Sequence, residues 1–295
     1  MRLRSIFLVV LALVLPMLAS SAYADSILGT DLSTFTILGG AGVTIGGTGT
    51  ILDGSVGACC TATSVTGVIP TNFNITGGTV QMGGGVAADA QNELSTAMTA
   101  LSGMAPTGSV SSLGGLTLTP GVYSSSSTMN LTGTLILDGQ GNANALWVFQ
   151  VGSALTTASG STVKVINAGS GAGVYWVLKT GSGTATLGPN STFIGNVLAN
   201  IGVVVDTNVT DSCGRFLTET ASVTLAGTDT VGIGCAGQLA ASNGLSGGGT
   251  LSTGPSGIPL ITPLTPASTP EPGTFALLLS ALLPMALVTF RKLRA

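Results

Sequence analysis

Leu131-Thr-Gly-Thr-Leu135, Ala154-Leu-Thr-Thr-Ala-Ser-Gly-Ser-Thr-Val163, Ala185-Thr-Leu-Gly-Pro-Asn-Ser-Thr-Phe193, Val204-Val-Asp-Thr-Asn-Val-Thr210 and Val223-Thr-Leu-Ala-Gly-Thr-Asp-Thr-Val231 restate one short theme. Each copy is a brief alternation of apolar residues and Thr, then a corner of Gly, Asn or Ser, then Thr and a second apolar run. Alternation of period two predicts strands, and the small residues predict turns. The copies recur at irregular spacings of roughly 15–30 residues. Coils of a parallel β-solenoid leave this trace, because no coil buries its inner face until a neighbour stacks on it.

Upstream of these copies, Phe35-Thr-Ile-Leu-Gly-Gly40 and Val43-Thr-Ile-Gly-Gly-Thr48-Gly-Thr50-Ile-Leu-Asp-Gly54 carry the same theme and predict an N-terminal part-coil. Residues 57–80 lose it, and an irregular cap is expected there, where a solenoid end would otherwise expose unpaired backbone. One soluble helix is expected, over about 86–102. Val86, Ala90, Leu94, Ala97, Met98 and Leu101 fall on one stripe, Asp89 and Glu93 lie toward the N-terminal half, and Gly103 and Pro106 end it. A single amphipathic helix in such a chain has one place to bury its stripe, along a flank of the solenoid. Trp147, Phe149, Tyr175 and Trp176 are read as core and its margin. Residues 237–269, rich in Ser, Gly, Thr and Pro, are expected to be a flexible linker.

The two ends of the 295-residue chain differ from the domain at 25–236. Met1 to Ala24 has Arg2 and Arg4, an apolar run from Ile6 to Leu18 and Ala22-Tyr23-Ala24, the layout of a cleaved signal peptide, so export is expected. Residues 270–295 open with Pro270-Glu271-Pro272-Gly273, continue as an apolar run from Thr274 to Phe290 and close on Arg291, Lys292 and Arg294. About 17 apolar residues just suffice to span a bilayer, with the basic cluster on the cytoplasmic side. One reading of this tail is a permanent membrane anchor. The order also resembles the PEP-CTERM sorting signal of Gram-negative bacteria. That resemblance implies transient membrane insertion, processing near Pro270 to Pro272 by an exosortase-like membrane peptidase, and release to the cell surface or outside.

Charged residues make up 6% of the chain, and there is no His. Between residues 25 and 269, three basic residues, Lys164, Lys179 and Arg215, stand against ten acidic ones, a net charge of −7. Such a surface repels nucleic acid. Glycoside hydrolysis wants two facing carboxylates, and lyase chemistry wants a base supported by metal or Arg. The acidic residues here are scattered singly. Asp206 with Asp211, or Asp211 with Glu219, could meet across coils, but turn capping is the simpler role. An enzyme is not expected, nor a cofactor. Metal is not expected either, since Cys59-Cys60, Cys213 and Cys235 lack paired zinc spacing and export favours disulfides. A bridge from Cys59 or Cys60 to Cys213 or Cys235 is expected, its partners left open.

Leu118-Thr-Pro-Gly-Val-Tyr123, the 131–138 strand, Val148-Phe-Gln-Val-Gly-Ser-Ala-Leu-Thr-Thr-Ala-Ser-Gly-Ser-Thr162 and Ala185-Thr-Leu-Gly-Pro-Asn-Ser-Thr-Phe-Ile-Gly-Asn196 resemble the microbial ice-binding protein domain, over about Leu28 to Val231. That resemblance implies a mainly β fold: an irregular right-handed parallel β-solenoid of triangular section, with one long α-helix packed along its side. It also implies a flat face bearing motifs of the form Thr-Ala/Gly-X-Thr/Asn. Here Pro189-Asn190 stands where Thr-Gly would be usual, and Asp206 and Asp229 put carboxylates beside the motifs.

On a solenoid, equivalent residues of successive coils sit about 4.7–4.9 Å apart, and Thr-X-Thr puts two hydroxyls about 6.6–6.8 Å apart on one side. A rigid grid of methyls and hydroxyls can hold water in an ordered, ice-like layer, and many weak contacts in fixed register sum to tight adsorption. The expected partner is therefore an ice crystal surface. The contact residues expected from the corner-to-strand position of the theme are Thr48, Thr50, Thr157, Ser159, Ser161, Thr162, Asn190, Ser191, Thr192, Thr207, Asn208, Thr210, Thr228 and Thr230, with Ala158, Gly160 and Gly227 keeping the surface flat. The alternative is a cell-surface or matrix protein held in exopolysaccharide by the same face.

Overall fold

The computed structural model describes residues 26–59, 65–67, 73–179, 183–235, 239, 242–254 and 256–265. The signal-like segment 1–24 and the PEP-CTERM-like tail 270–295 lie outside them. The described chain is dominated by short strands, and each coil visits three parallel faces in turn.

The first face is a nine-stranded sheet in the spatial order 80–83, 55–59, 35–39, 214–218, 195–199, 173–178, 146–151, 121–125 and 108–109. The second is seven-stranded, in the order 129–131, 154–157, 184–187, 202–205, 222–225, 42–45 and 65–66. The third is two sheets, one of 162–166, 134–138 and 117–118, the other of 210–211, 230–232, 50–53 and 73–76. Thr192 joins them by parallel bridges to Thr162 and Thr210.

The coils do not stack in chain order. Strand Phe35–Gly39 pairs in parallel with Gly214–Thr218, from the far end of the domain sequence. The helix α1, Val86–Ser102, makes this possible. It follows the strand at one edge of the first face and precedes the strand at the other edge, so it carries the chain back along the solenoid. Its 17 residues are about 26 Å long at the usual rise.

Two apolar clusters hold the domain. The inner one lies between the three faces and holds Trp147, Phe149 and Trp176, with Phe149 and Trp176 stacked at 3.9 Å between ring centroids. Both indole N–H groups find carbonyls, Trp147 Nε1 donating to Leu118 O and Trp176 Nε1 to Ile194 O, each at 3.1 Å. The outer cluster packs Ala87, Ala90, Leu94, Ala97, Met98 and Leu101 of α1 onto the outward side chains of the first face, among them Leu38, Val148, Tyr175, Val177, Leu198 and Leu217. Val86, expected on this stripe, is 43% exposed, and Ala87 takes its place. The Glu93 carboxylate ties the helix to the N-terminal segment, accepting the N–H groups of Thr30, Asp31 and Leu32 at 2.7–3.1 Å.

Three sequence expectations are corrected. The described parts of 57–80 do not leave the repeat: strands 55–59, 65–66, 73–76 and 80–83 pair in register with the neighbouring coil and form the outermost turn. The expected bridge from Cys59 or Cys60 to Cys213 or Cys235 is instead Cys213–Cys235, with Cα atoms 4.1 Å apart. The two are 22 residues apart, about one coil, so they stack directly. Cys59 is disulfide-bonded as well.

The third correction concerns the expected linker 237–269. Its described part through residue 264 is folded against the solenoid and ends in an antiparallel hairpin, Gly249–Thr253 with Pro259–Pro263. Leu245 enters the inner cluster, and Ile261, 4% exposed, joins the helix cluster. Buried polar groups clamp this strap. Tyr175 Oη donates to Ser246 O and Gly247 O. Arg215, fully buried, donates through Nη1 to Asn196 Oδ1 at 2.8 Å and Gly244 O at 3.3 Å, and through Nη2 to Ser33 O at 2.7 Å and Asn243 Oδ1 at 3.0 Å. Composition alone hides this, because small polar residues pack as readily as they solvate.

Candidate functional site

The repeated corner between the second and third faces is four residues long in the central coils: 158–161, 188–191, 206–209 and 226–229. Its third position takes a left-handed backbone throughout, at Gly160 (φ 70°), Asn190 (60°), Asn208 (62°) and Thr228 (61°). Glycine and asparagine tolerate this conformation. Asn190, Asn208 and Thr228 are exposed there, and Asn208 Nδ2 donates to Asn190 Oδ1 at 2.7 Å, so the asparagines form a ladder along the ridge. Thr48, Ser159 and Thr207 are exposed on the same corner.

The last corner position, just before the third-face column, turns inward, and this removes expected contact residues. Thr50, Ser161 and Ser191 are at most 2% exposed, and Thr157, the last residue of its second-face strand, is 3% exposed. All four serve the corner itself. Thr157 Oγ1 accepts the Gly188 N–H at 2.9 Å, Ser161 Oγ donates to Ala158 O at 2.7 Å, Ser191 Oγ donates to Gly188 O at 2.7 Å, and Thr50 Oγ1 accepts the Asp229 N–H at 3.4 Å. They cannot touch an external surface. Gly227 is also needed by packing and not by flatness: a Cβ there would stand 2.8 Å from Gly46 O.

Asp229, likewise inward, accepts the N–H groups of Val209 and Gly227 at 2.9 and 3.1 Å. Burial pushes its carboxyl up to about 6 against the opposing pull of these two N–H groups. Asp211 is fully buried and holds the next turn through the Cys213 N–H, and burial pushes it up to about 8 despite that bond and nearby Arg215. Each of these carboxyls caps a turn.

The remaining four expected residues, Thr162, Thr192, Thr210 and Thr230, lie in one column on the third face, joined by the overlooked Thr134 at one end and followed by Ile51 and Asn74 at the other. The face also carries charge. Lys164 is exposed two residues after Thr162, and Asp53 and Asp138 lie on its outer side, the Asp138 carboxyl held below the usual range by the Gln140 N–H and the Asn167 side chain.

The second face was not anticipated. Its register aligns Asn130, Thr156, Thr186, Val204, Thr224, Thr44 and Thr66 in one column across seven coils. None of the seven is buried, whereas the residues flanking them on each strand point inward. Thr66 Oγ1 donates to Thr44 Oγ1 at 3.3 Å. Two residues earlier on each central strand runs a second column in the same alternation, with Ala154, Thr184 and Ser222 half-buried and Gly202 and Gly42 buried between them. Neither column contains a charge. At strand spacing the first is about 29 Å long and the two are about 6.7 Å apart. The signal was present in the sequence: a single Thr between two apolar residues, as in Ala185-Thr186-Leu187, Val223-Thr224-Leu225 and Val43-Thr44-Ile45.

A family model described as ice-binding-like matches residues 37–231. An ice-binding protein of Nostoc sp. (strain HG1) is 41% identical over 208 residues, 70% of this chain and 74% of the relative. Among solved structures, the ice-binding protein of the Antarctic ascomycete Antarctomyces psychrotrophicus superposes with a TM-score of 0.63 at 30% identity, covering 71% of this chain and 98% of that one. An ice-binding protein from an Antarctic biological consortium gives 0.63 at 29% identity, covering 72% and 93%.

Proposed function

Because the chain belongs to the ice-binding-like family, we propose that it is a non-enzymatic protein that adsorbs to ice through its second face and the adjoining corner ridge, and so arrests crystal growth and recrystallisation. The observation that carries this is the second face itself: an uncharged grid in which one outward column holds Thr at five of seven positions and the neighbouring column is small. A hydroxyl on such a grid anchors water, and the methyl beside it shapes the layer without the strong competing hydration of a charge. Strand pairing fixes every site before contact, so adsorption orders few side chains. The exposed corner residues Thr48, Ser159, Asn190, Thr207, Asn208 and Thr228 extend the surface around its edge.

The solenoid is right-handed and triangular in section. The Arg2 and Arg4 leader sends the protein out of a Gram-negative cell. The PEP-CTERM-like tail inserts transiently in the membrane until an exosortase-like peptidase releases the domain to the surface or the medium. Sequence order at the two ends supports these steps.

Thermal hysteresis tests the contact surface. Thr186→Tyr, in the middle of the second face, is expected to cut hysteresis sharply while leaving stability within about 0.5 kcal/mol of the parent, as for other surface sites. Full hysteresis in Thr186→Tyr overturns the assignment of this face. A protein without hysteresis that is instead retained by exopolysaccharide through the same face belongs to the matrix alternative.

A further inference from the structure

On the ice-adsorption reading just given, we infer that the third face is a second, separately acting ice-contact surface, so that one molecule offers two different lattices to a crystal, one on each side of the corner. Thr134, Thr162, Thr192, Thr210 and Thr230 hold one register position on five successive coils, joined by parallel pairing at every step. All five point outward, because the residue after each, from Leu135 to Val231, is buried. The ladder is about 19 Å long at the usual coil spacing.

This ladder is not an extension of the second face. Four corner residues, one of them in a left-handed conformation, separate Thr157 from Thr162 and Leu187 from Thr192. The chain turns there, so the two surfaces look in different directions. Their repeats differ as well. The second face has two columns about 6.7 Å apart along each strand. The third face has one Thr column, bordered on one side by the asparagine ridge of the corner.

In the central coils no charge stands two residues after the ladder Thr: Ser212 follows Thr210, and Ile194 and Gly232, which follow Thr192 and Thr230, are buried. Lys164 and Asp53 mark the limits of the patch on either side. A surface with a different repeat matches a different set of crystal planes. The protein should therefore cover two plane sets, and seat best where they meet.

The experiment is adsorption of the fluorescently labelled protein to an oriented single ice crystal, read as the pattern of lit planes. The parent protein should light two sets of planes. Thr192→Tyr should remove one set and leave the other, and Thr186→Tyr should do the converse. Thr134→Lys, an exposed position at the end of the ladder, repeats the first test with different chemistry, and thermal unfolding matching the parent's certifies each variant as folded. If Thr192→Tyr and Thr134→Lys leave the parent pattern intact while Thr186→Tyr darkens every plane, the second-face reading stands and the two-surface inference is overturned. If the parent lights no plane, both fall.

Discussion

The first and second faces are built by the same coils from the same kind of parallel ladder, yet they have opposite fates. On the first face the central strands 35–39, 195–199 and 214–218 are buried on both sides. On the second, strands such as 184–187 and 202–205 bury their inward residues and leave one outward position bare. The difference lies in the outward residues. Leu38, Leu198 and Leu217 demand a cover, and α1 with the C-terminal strap supplies it. Thr44, Thr186 and Thr224 demand none, and nothing in the described chain covers them. Ordinary exposed sheets take Lys and Glu at such positions, which also discourages edge and face association. Here those positions are Thr, a residue that suits a strand and binds water through one group only.

Substitutions that exchange the roles of the two faces sharpen this contrast. Leu198→Ala, beneath the helix, should destabilise by about 2–5 kcal/mol, whereas Val204→Ala, 48% exposed on the second face, should stay within about 0.5 kcal/mol. Urea unfolding measures both, and equal effects would mean that the helix does not seal the first face. Arg215→Ala should cost about 3 kcal/mol or more, because it leaves the Ser33 carbonyl and the buried Asn196 Oδ1 without their partner. Loss of the strap's protection in hydrogen exchange, at residues 243–264, is the accompanying signature.

The pH dependence of stability follows from the two turn-capping carboxyls. Asp229 and Asp211 bind their protons more tightly folded than unfolded, since burial raises both above the ordinary value of 3.8. The folded state therefore holds more protons between that value and about 8, and stability falls as pH rises through this window. Thermal melts from pH 4 to pH 9 should show the decline, and Asp229→Asn should remove the part that lies between 3.8 and about 6. A flat profile would mean that water reaches both carboxyls. The smallest effect belongs to Thr228, a β-branched residue at a positive φ. Thr228→Asn should gain up to about 1 kcal/mol, while an unchanged melting temperature would show that the corner relaxes around it.

The fold was legible in sequence where period and composition agree. The helix bounds, the aromatic core and the corner glycines follow directly from spacing, and α1 runs from 86 to 102 as its stripe predicts. The order of the coils was not legible. Pairing of 35–39 with 214–218 depends on where the helix takes the chain, and periodicity within each strand carries no record of that. Of the residues expected at the site, Thr162, Thr192, Thr210 and Thr230 do stack coil over coil in one column. Thr50, Thr157, Ser161 and Ser191 point inward, each next to an outward residue in the same alternation, and composition hides this because small hydroxyl residues suit both a surface and a buried turn. Thr44, Thr156, Thr186 and Thr224 carry no corner signal, since each is a lone outward Thr in mid-strand.

Partition into a slowly growing ice front tests the central claim most directly. The parent protein should concentrate in the ice fraction, and the double variant Thr156→Tyr/Thr186→Tyr, folded by circular dichroism, should fall well below the parent in that fraction. A parent protein excluded from the ice, or a double variant that enters it as fully as the parent, would contradict adsorption through the second face.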